Sequence, residues 1–98
     1  MSDPQPATAT ATVATATPDR YAKQLASHLG RRCEVREESD GIRLVLPAGG
    51  DCLLTSTDAA LVMTASGPTQ ESLDQVTDVV GRHLERFGQR NELVVSWT

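Results

Sequence analysis

Two imidazoles, His28 and His83, are the side chains in this chain with the most chemical range. Each lies in a segment of helical periodicity. A neutral imidazole binds transition metals, and it exchanges protons near neutral pH. Two of them on neighbouring helices, joined by Glu85, Glu92, Cys33 or Cys52, would offer the nitrogen, oxygen and sulfur donors that first-row metals accept. The donors are scattered, however, and no diagnostic metal-motif spacing connects them. The alternative puts His28 in the core, donating a ring N–H to a backbone carbonyl, with His83 at the rim of a surface groove. The sequence leaves both readings open.

Arg82, Arg86 and Arg90 recur at every fourth position and form a basic edge on the second helical segment, with Arg31 and Arg32 expected nearby. Together with His83 they are candidates for binding a small anionic ligand or an acidic protein partner. The competing reading is a solvated helix face on which Asp78 and Arg82 are neighbours. Nucleic acid does not fit, because the net charge is −4 and no aromatics interleave with the basic residues. Motifs of the G-x-S-x-G, H-E-x-x-H, Walker A and G-x-G-x-x-G types are absent. Ser96 has no adjacent base. Cys33 and Cys52 fall in predicted strands rather than at a helix N-terminus, where a thiolate is favoured. No catalytic residue and no cofactor is therefore assigned. The expected role is binding, by a protein partner or a small anionic ligand, and the alternative is a metal- or haem-binding protein or minor enzyme using His28 and His83.

A chain of 98 residues is one domain. Aromatics make up 3% (Tyr21, Phe87, Trp97), so Leu, Val, Ile and Ala must fill a small core. A deep cavity of several hundred cubic ångströms is not expected beside such a core. Acids and bases are interspersed, and no apolar run reaches the ~18 residues of a membrane span. The N-terminus has neither the basic nor the apolar region of a signal peptide, which points to a cytoplasmic protein with both cysteines reduced.

The elements that would position these residues follow from periodicity. Residues 1–7 read as a flexible tail and 8–98 as one domain. An alternating Ala/Thr stretch from about Thr8 reads as a strand whose small side chains let a helix lie close. Thr17-Pro18-Asp19 starts a helix, with a hydroxyl N-cap and Pro at its first position. Gly30 stops it, and Arg31 and Arg32 follow at the negative end of its dipole. Tyr21, Leu25 and His28 fall within about 60° of one another, which puts His28 on the packing face.

The middle third alternates through residues 33–37, 42–46, 52–55 and 61–65, with Asp40-Gly41 as a hairpin turn. Gly67-Pro68-Thr69 opens the second helix. Its stripe of Leu73, Val76, Val80, Leu84 and Phe87 faces the core, and Asp74, Asp78, Arg82 and Glu85 face water. His83 lies about 80° off that stripe. Gly88 ends the helix, and Leu93, Val95 and Trp97 alternate as a last strand. The result is an α+β two-layer sandwich of order β-α-β-β-β-β-α-β, with a mostly antiparallel sheet and two helices on one face. The uncovered face carries Val45, Val62 and Val94 and is an expected homodimer surface.

Three segments carry a family likeness: Pro18-Asp19-Arg20-Tyr21 with Leu25 and His28; His83-Leu84-Glu85-Arg86-Phe87; and Asn91-Glu92-Leu93-Val94-Val95-Ser96-Trp97. In their order and spacing the chain resembles a bacterial domain-of-unknown-function family whose members occur alone or fused to siderophore-interacting flavin reductases. The resemblance spans residues 7–97. Members typically have Ala-Phe after the Phe of the His-Leu-x-Arg-Phe motif, where this chain has Gly88-Gln89. The resemblance implies no activity. Its fusion partners imply a role near iron or siderophore handling.

Overall fold

Strand pairing begins one residue earlier than expected, at Ala7. The computed structural model describes residues 6–47, 49–87 and 93–98. The elements are β1 (Ala7–Ala14), α1 (Pro18–Leu29), β2 (Glu34–Glu38), β3 (Gly41–Val45), β4 (Asp51–Ser56), β5 (Ala60–Gly67) and α2 (Gln70–Phe87). The five strands form one sheet in the order β1-β5-β4-β3-β2, antiparallel throughout. β2 to β5 are a meander of hairpins. α1 carries the chain from β1 at one edge of the sheet to β2 at the other.

The register sorts side chains by face. Val13 lies opposite Leu61, Ala11 opposite Met63, Met63 opposite Leu54 and Leu44 opposite Cys52. All of these are buried beneath the helices, together with Tyr21, Ala22, Leu25 and Leu29 of α1 and Leu73, Val76, Val80 and Leu84 of α2. Each large aliphatic side chain so placed contributes roughly 1.5–3 kcal/mol. The alanines of β1 do what their size predicts, and α2 packs across both β1 and β5.

Local chemistry sets the boundaries. The β2–β3 hairpin turns through Ser39 and Asp40, between the paired residues Glu38 and Gly41. Gly41 has φ +144°, and any Cβ there would collide with the Leu54 carbonyl. Thr69 caps α2, its Oγ1 accepting from the Ser72 N–H at 3.0 Å. Thr17 does not cap α1 with its side chain; its carbonyl accepts from the Tyr21 N–H instead. Gly30 follows α1 in right-handed helical geometry (φ −61°, ψ −13°), so it supplies no left-handed cap.

Three expectations are corrected. His28 is exposed, because the buried stripe of α1 comprises Pro18, Tyr21, Ala22, Leu25 and Leu29. Counting Ala22 and Leu29 moves the centre of that stripe to roughly 75° from His28. Phe87 is only partly buried and sits at the edge of the core. Residues 93–98 form no regular strand. They lie beside β1 through Thr98, which exchanges backbone bonds with Thr10 at 3.0 and 3.1 Å. The expected helix stop at Gly88 lies outside the described residues.

The other sheet face carries no helix. It presents Thr8, Thr10 and Thr12 in line with Ser66, Thr64 and Val62 of β5. Val45 and Val62 are there and are half-buried, but Val94 is on the irregular C-terminal segment, 70% exposed. The face is more polar than the valines alone suggested.

Candidate functional site

The end of α1 builds most of the site. Leu29 is buried and anchors the last turn. Its carbonyl then accepts from both the Arg32 and the Cys33 N–H, at 3.0 and 2.9 Å, which reverses the chain sharply. The reversal leaves Arg31 and Arg32 exposed just beyond the helix. From the sheet layer, the turn after β3 brings in Leu46 and Pro47, held by the Leu46 N–H donating to the Gly50 carbonyl at 2.8 Å. α2 supplies Gln75, Val79 and His83. These pieces enclose a cleft of about 500 Å³. Its wall is apolar (Leu29, Leu46, Pro47, Val79), and its polar groups are His28, His83, Arg31, Arg32, Gln75 and Cys33. The expectation that no cavity of this size fits beside the core is thereby corrected. The cleft lies outside the core, where the helix layer meets a loop of the sheet layer, and its volume falls within the range of small-molecule sites.

The two histidines meet in this cleft. Their ring centres are 4.9 Å apart with planes tilted by 47°. Phe87 packs its ring edge-on against His28 at 5.5 Å, in the T-shaped arrangement aromatic rings favour. His83 is half-buried, and its Nδ1 lies 2.6 Å from the Val79 carbonyl oxygen. A carbonyl only accepts, so Nδ1 carries a proton, and in the neutral form of the ring the lone pair is on Nε2. Among the described residues, no third His, Cys, Asp or Glu joins the pair in a group able to hold a metal ion. Cys33 and Cys52 are free thiols. Burial pushes the Cys33 thiol up from its ordinary range, and Cys52, deep in the core, is pushed up to about 12 by burial and by Asp51. Both shifts disfavour the thiolate, the reactive form, near neutral pH.

The charges fall into two groups. Arg43 donates to Glu38 at 3.0 Å and lies 3.4 Å from Asp51, which itself accepts from the Ser66 hydroxyl. Hydrogen bonding to Glu38 pushes the Arg43 guanidinium further above its ordinary range. Arg36 pairs with Glu34, and Lys23 with Asp19. Arg31 and Arg32 form no ion pair among the described residues.

The basic edge read from the sequence does not stay together. Arg82 turns away from His83, pairs with Asp78 at 2.9 Å and lines a second groove of about 360 Å³ beside Asp74, Glu85 and Trp97. In that groove Glu85 accepts from the Val95 N–H at 3.1 Å. Gly81 leaves room for the Trp97 indole, which a Cβ would approach to 3.1 Å. Arg86 is exposed and lines neither cavity. Arg90 and Glu92 lie outside the described residues. The arginines of the cleft are thus Arg31 and Arg32. Their sequence signal was a doublet directly after a helix stop. The contribution of Leu46 and Pro47 left no signal in the sequence.

No curated protein matches the chain. Among solved structures it is similar to the NMR structure of PA4090 from Pseudomonas aeruginosa, with a TM-score of 0.75 and 25% identity over 93% of this chain and 94% of that one. That likeness carries the α+β arrangement of a five-stranded antiparallel sheet and two helices. Residues 10–98, nearly the whole domain with both helices of the cleft, match a family described as uncharacterized protein conserved in bacteria (DUF2218), and the chain belongs to that family.

Proposed function

We propose that this domain acts by binding, and that its cleft takes a small anionic ligand with a flat apolar part. One observation carries the reading: Arg31 and Arg32, without ion pairs among the described residues, stand at a cleft whose wall is Leu29, Leu46, Pro47 and Val79. Among the described residues Lys23, Arg36, Arg43 and Arg82 pair with carboxylates, while Arg20 and Arg86, also without ion pairs, do not line this cleft. Two guanidiniums offer ten N–H donors suited to carboxylate or catecholate oxygens, while the apolar wall accepts a ring. The last carbonyls of α1 also favour positive charge there, but helix polarity alone does not require an apolar wall beside it. Cys33 shares the cleft with both histidines, but burial holds it toward the thiol form, and the reading adopted is binding rather than turnover. An aromatic carboxylate or catecholate is the ligand class. With the fusion partners of the resembling family, this extends the proposal to a part in iron or siderophore handling.

The test is an NMR titration with benzoate and 2,3-dihydroxybenzoate. Shifts are expected at His28, Arg31, Arg32, Val79 and His83, and Arg31→Ser with Arg32→Ser should weaken binding at least ~10-fold, one lost charge-assisted contact being worth about 1.5–3 kcal/mol. Shifts confined to the Arg82 groove, or no shifts at millimolar ligand, would overturn the proposal.

A further inference from the structure

We infer that His28 and His83 form a two-imidazole seat for a first-row divalent metal ion that arrives already held by an anionic chelator, the chelator's carboxylates lying against Arg31 and Arg32. The inference rests on the cleft as an anion site and names the class of its ligand more closely.

Three observations converge on the seat. The first is spacing. An imidazole bound at ~2.0–2.1 Å puts its ring centre roughly 3.2 Å from the metal, so two rings in neighbouring coordination positions have centres roughly 4.5–5.2 Å apart. The observed separation is 4.9 Å, with tilted rather than stacked planes. The second is the tautomer. The Nδ1–H of His83 donates to the Val79 carbonyl at 2.6 Å, which leaves the Nε2 lone pair as the donor atom. Metal-bound histidines are oriented in this way by a partner on the other ring nitrogen. The third is what the protein lacks. No third His, Cys, Asp or Glu joins the pair among the described residues, so this seat by itself would hold a bare ion weakly. A chelator that fills the remaining positions completes the shell, and the outward oxygens of its metal-bound carboxylates meet two arginines without ion pairs among the described residues. Binding then exchanges two metal-bound waters for two imidazoles, with no change in oxidation state.

Ni(II)–nitrilotriacetate is a suitable probe, because the tetradentate chelator leaves two neighbouring positions open. Calorimetry and the nickel absorption band would be followed on the untagged full chain, with nitrilotriacetate alone run in parallel. The chelate should bind at least ~30-fold more tightly than the free chelator and shift the band toward the higher field of added nitrogen ligands. His28→Ala and His83→Ala should each cost at least ~10-fold, and Arg31→Ser with Arg32→Ser about 3–10-fold, with circular dichroism confirming the fold. Three results would overturn the inference: no binding of the chelate, binding indifferent to either histidine, or binding indifferent to the arginine pair. Should the free chelator bind as tightly as its nickel complex, this inference falls while the anion-binding proposal stands.

Discussion

On the open face of the sheet Arg43 is held between Glu38 and Asp51, whereas beyond α1 Arg31 and Arg32 stand at an apolar cleft with no ion pair among the described residues. Both regions carry arginines, and both lie a few residues from acids in sequence. They differ in geometry. β3 and its neighbours hold charges in cross-strand register, where carboxylates on the adjacent strands β2 and β4 meet the β3 guanidinium at a fixed height. The reversal after α1 projects two arginines where no strand or helix partner faces them. A satisfied charge is part of the scaffold; an unsatisfied one beside apolar surface is available to a ligand.

The largest effect should come from the layer beneath both regions. Leu54→Ala, at a side chain 1% exposed, is expected to cost about 2–5 kcal/mol in chemical denaturation and to loosen cleft and open face together. A loss confined to one region would break the comparison by showing that the two do not share a core. Phe87→Ala should cost less than a core deletion, since Phe87 is only partly buried.

The cysteines sharpen it next. Cys52 is held as a thiol, its pKa raised to about 12 from 9.0. A folded-state value above the unfolded one means the stabilisation is complete below about pH 9 and is lost as pH rises toward 12, an effect of a few kcal/mol at most. Stability measured from pH 8 to 11 should therefore fall less steeply in Cys52→Ala than in the parent. In alkylation of the native protein, Cys33 in the cleft should react before Cys52 and faster as pH rises. The reverse order would place the cleft, not the core, out of reach of solvent.

Smaller effects separate the arginines directly. Arg43→Ala should cost about 1 kcal/mol of stability, in keeping with partly exposed ion pairs, and leave ligand binding unchanged. Arg31→Ser with Arg32→Ser should do the opposite, changing stability by less than about 0.5 kcal/mol while weakening anion binding. Smallest of all, His28→Ala should leave stability within about 0.5 kcal/mol, because His28 is exposed. A larger loss would mean its contact with Phe87 holds the helix layer together.

Much of this was legible in the sequence because local rules governed it. The Ala/Thr alternation of β1, the hairpin signalled by Asp40-Gly41 (its turn falling one residue earlier, at Ser39-Asp40) and the stripe from Leu73 to Leu84 are each set by residues a few positions apart. Legibility failed where a position's fate depends on a distant element. Tyr21, Leu25 and His28 share a helical arc, but which part of that arc meets the sheet was decided by Ala22 and Leu29 packing beneath α1. The last segment alternates like a strand, yet beyond the Thr98–Thr10 pair its residues lie as irregular chain, with Trp97 against Gly81 of α2.

The candidate site shows the same division. The sequence by itself determined that two histidines would stand on two helices covering one face of an antiparallel sheet, that a basic doublet would follow the first helix, and that no catalytic motif was present. Tertiary structure alone decided that the two imidazoles come within 4.9 Å, that Arg82 leaves them for another groove, and that Leu46 and Pro47 wall a cleft beside them. Side-chain periodicity fixes a direction about one helix axis. The relative placement of two helices and a loop follows from how their buried faces interlock across the whole core.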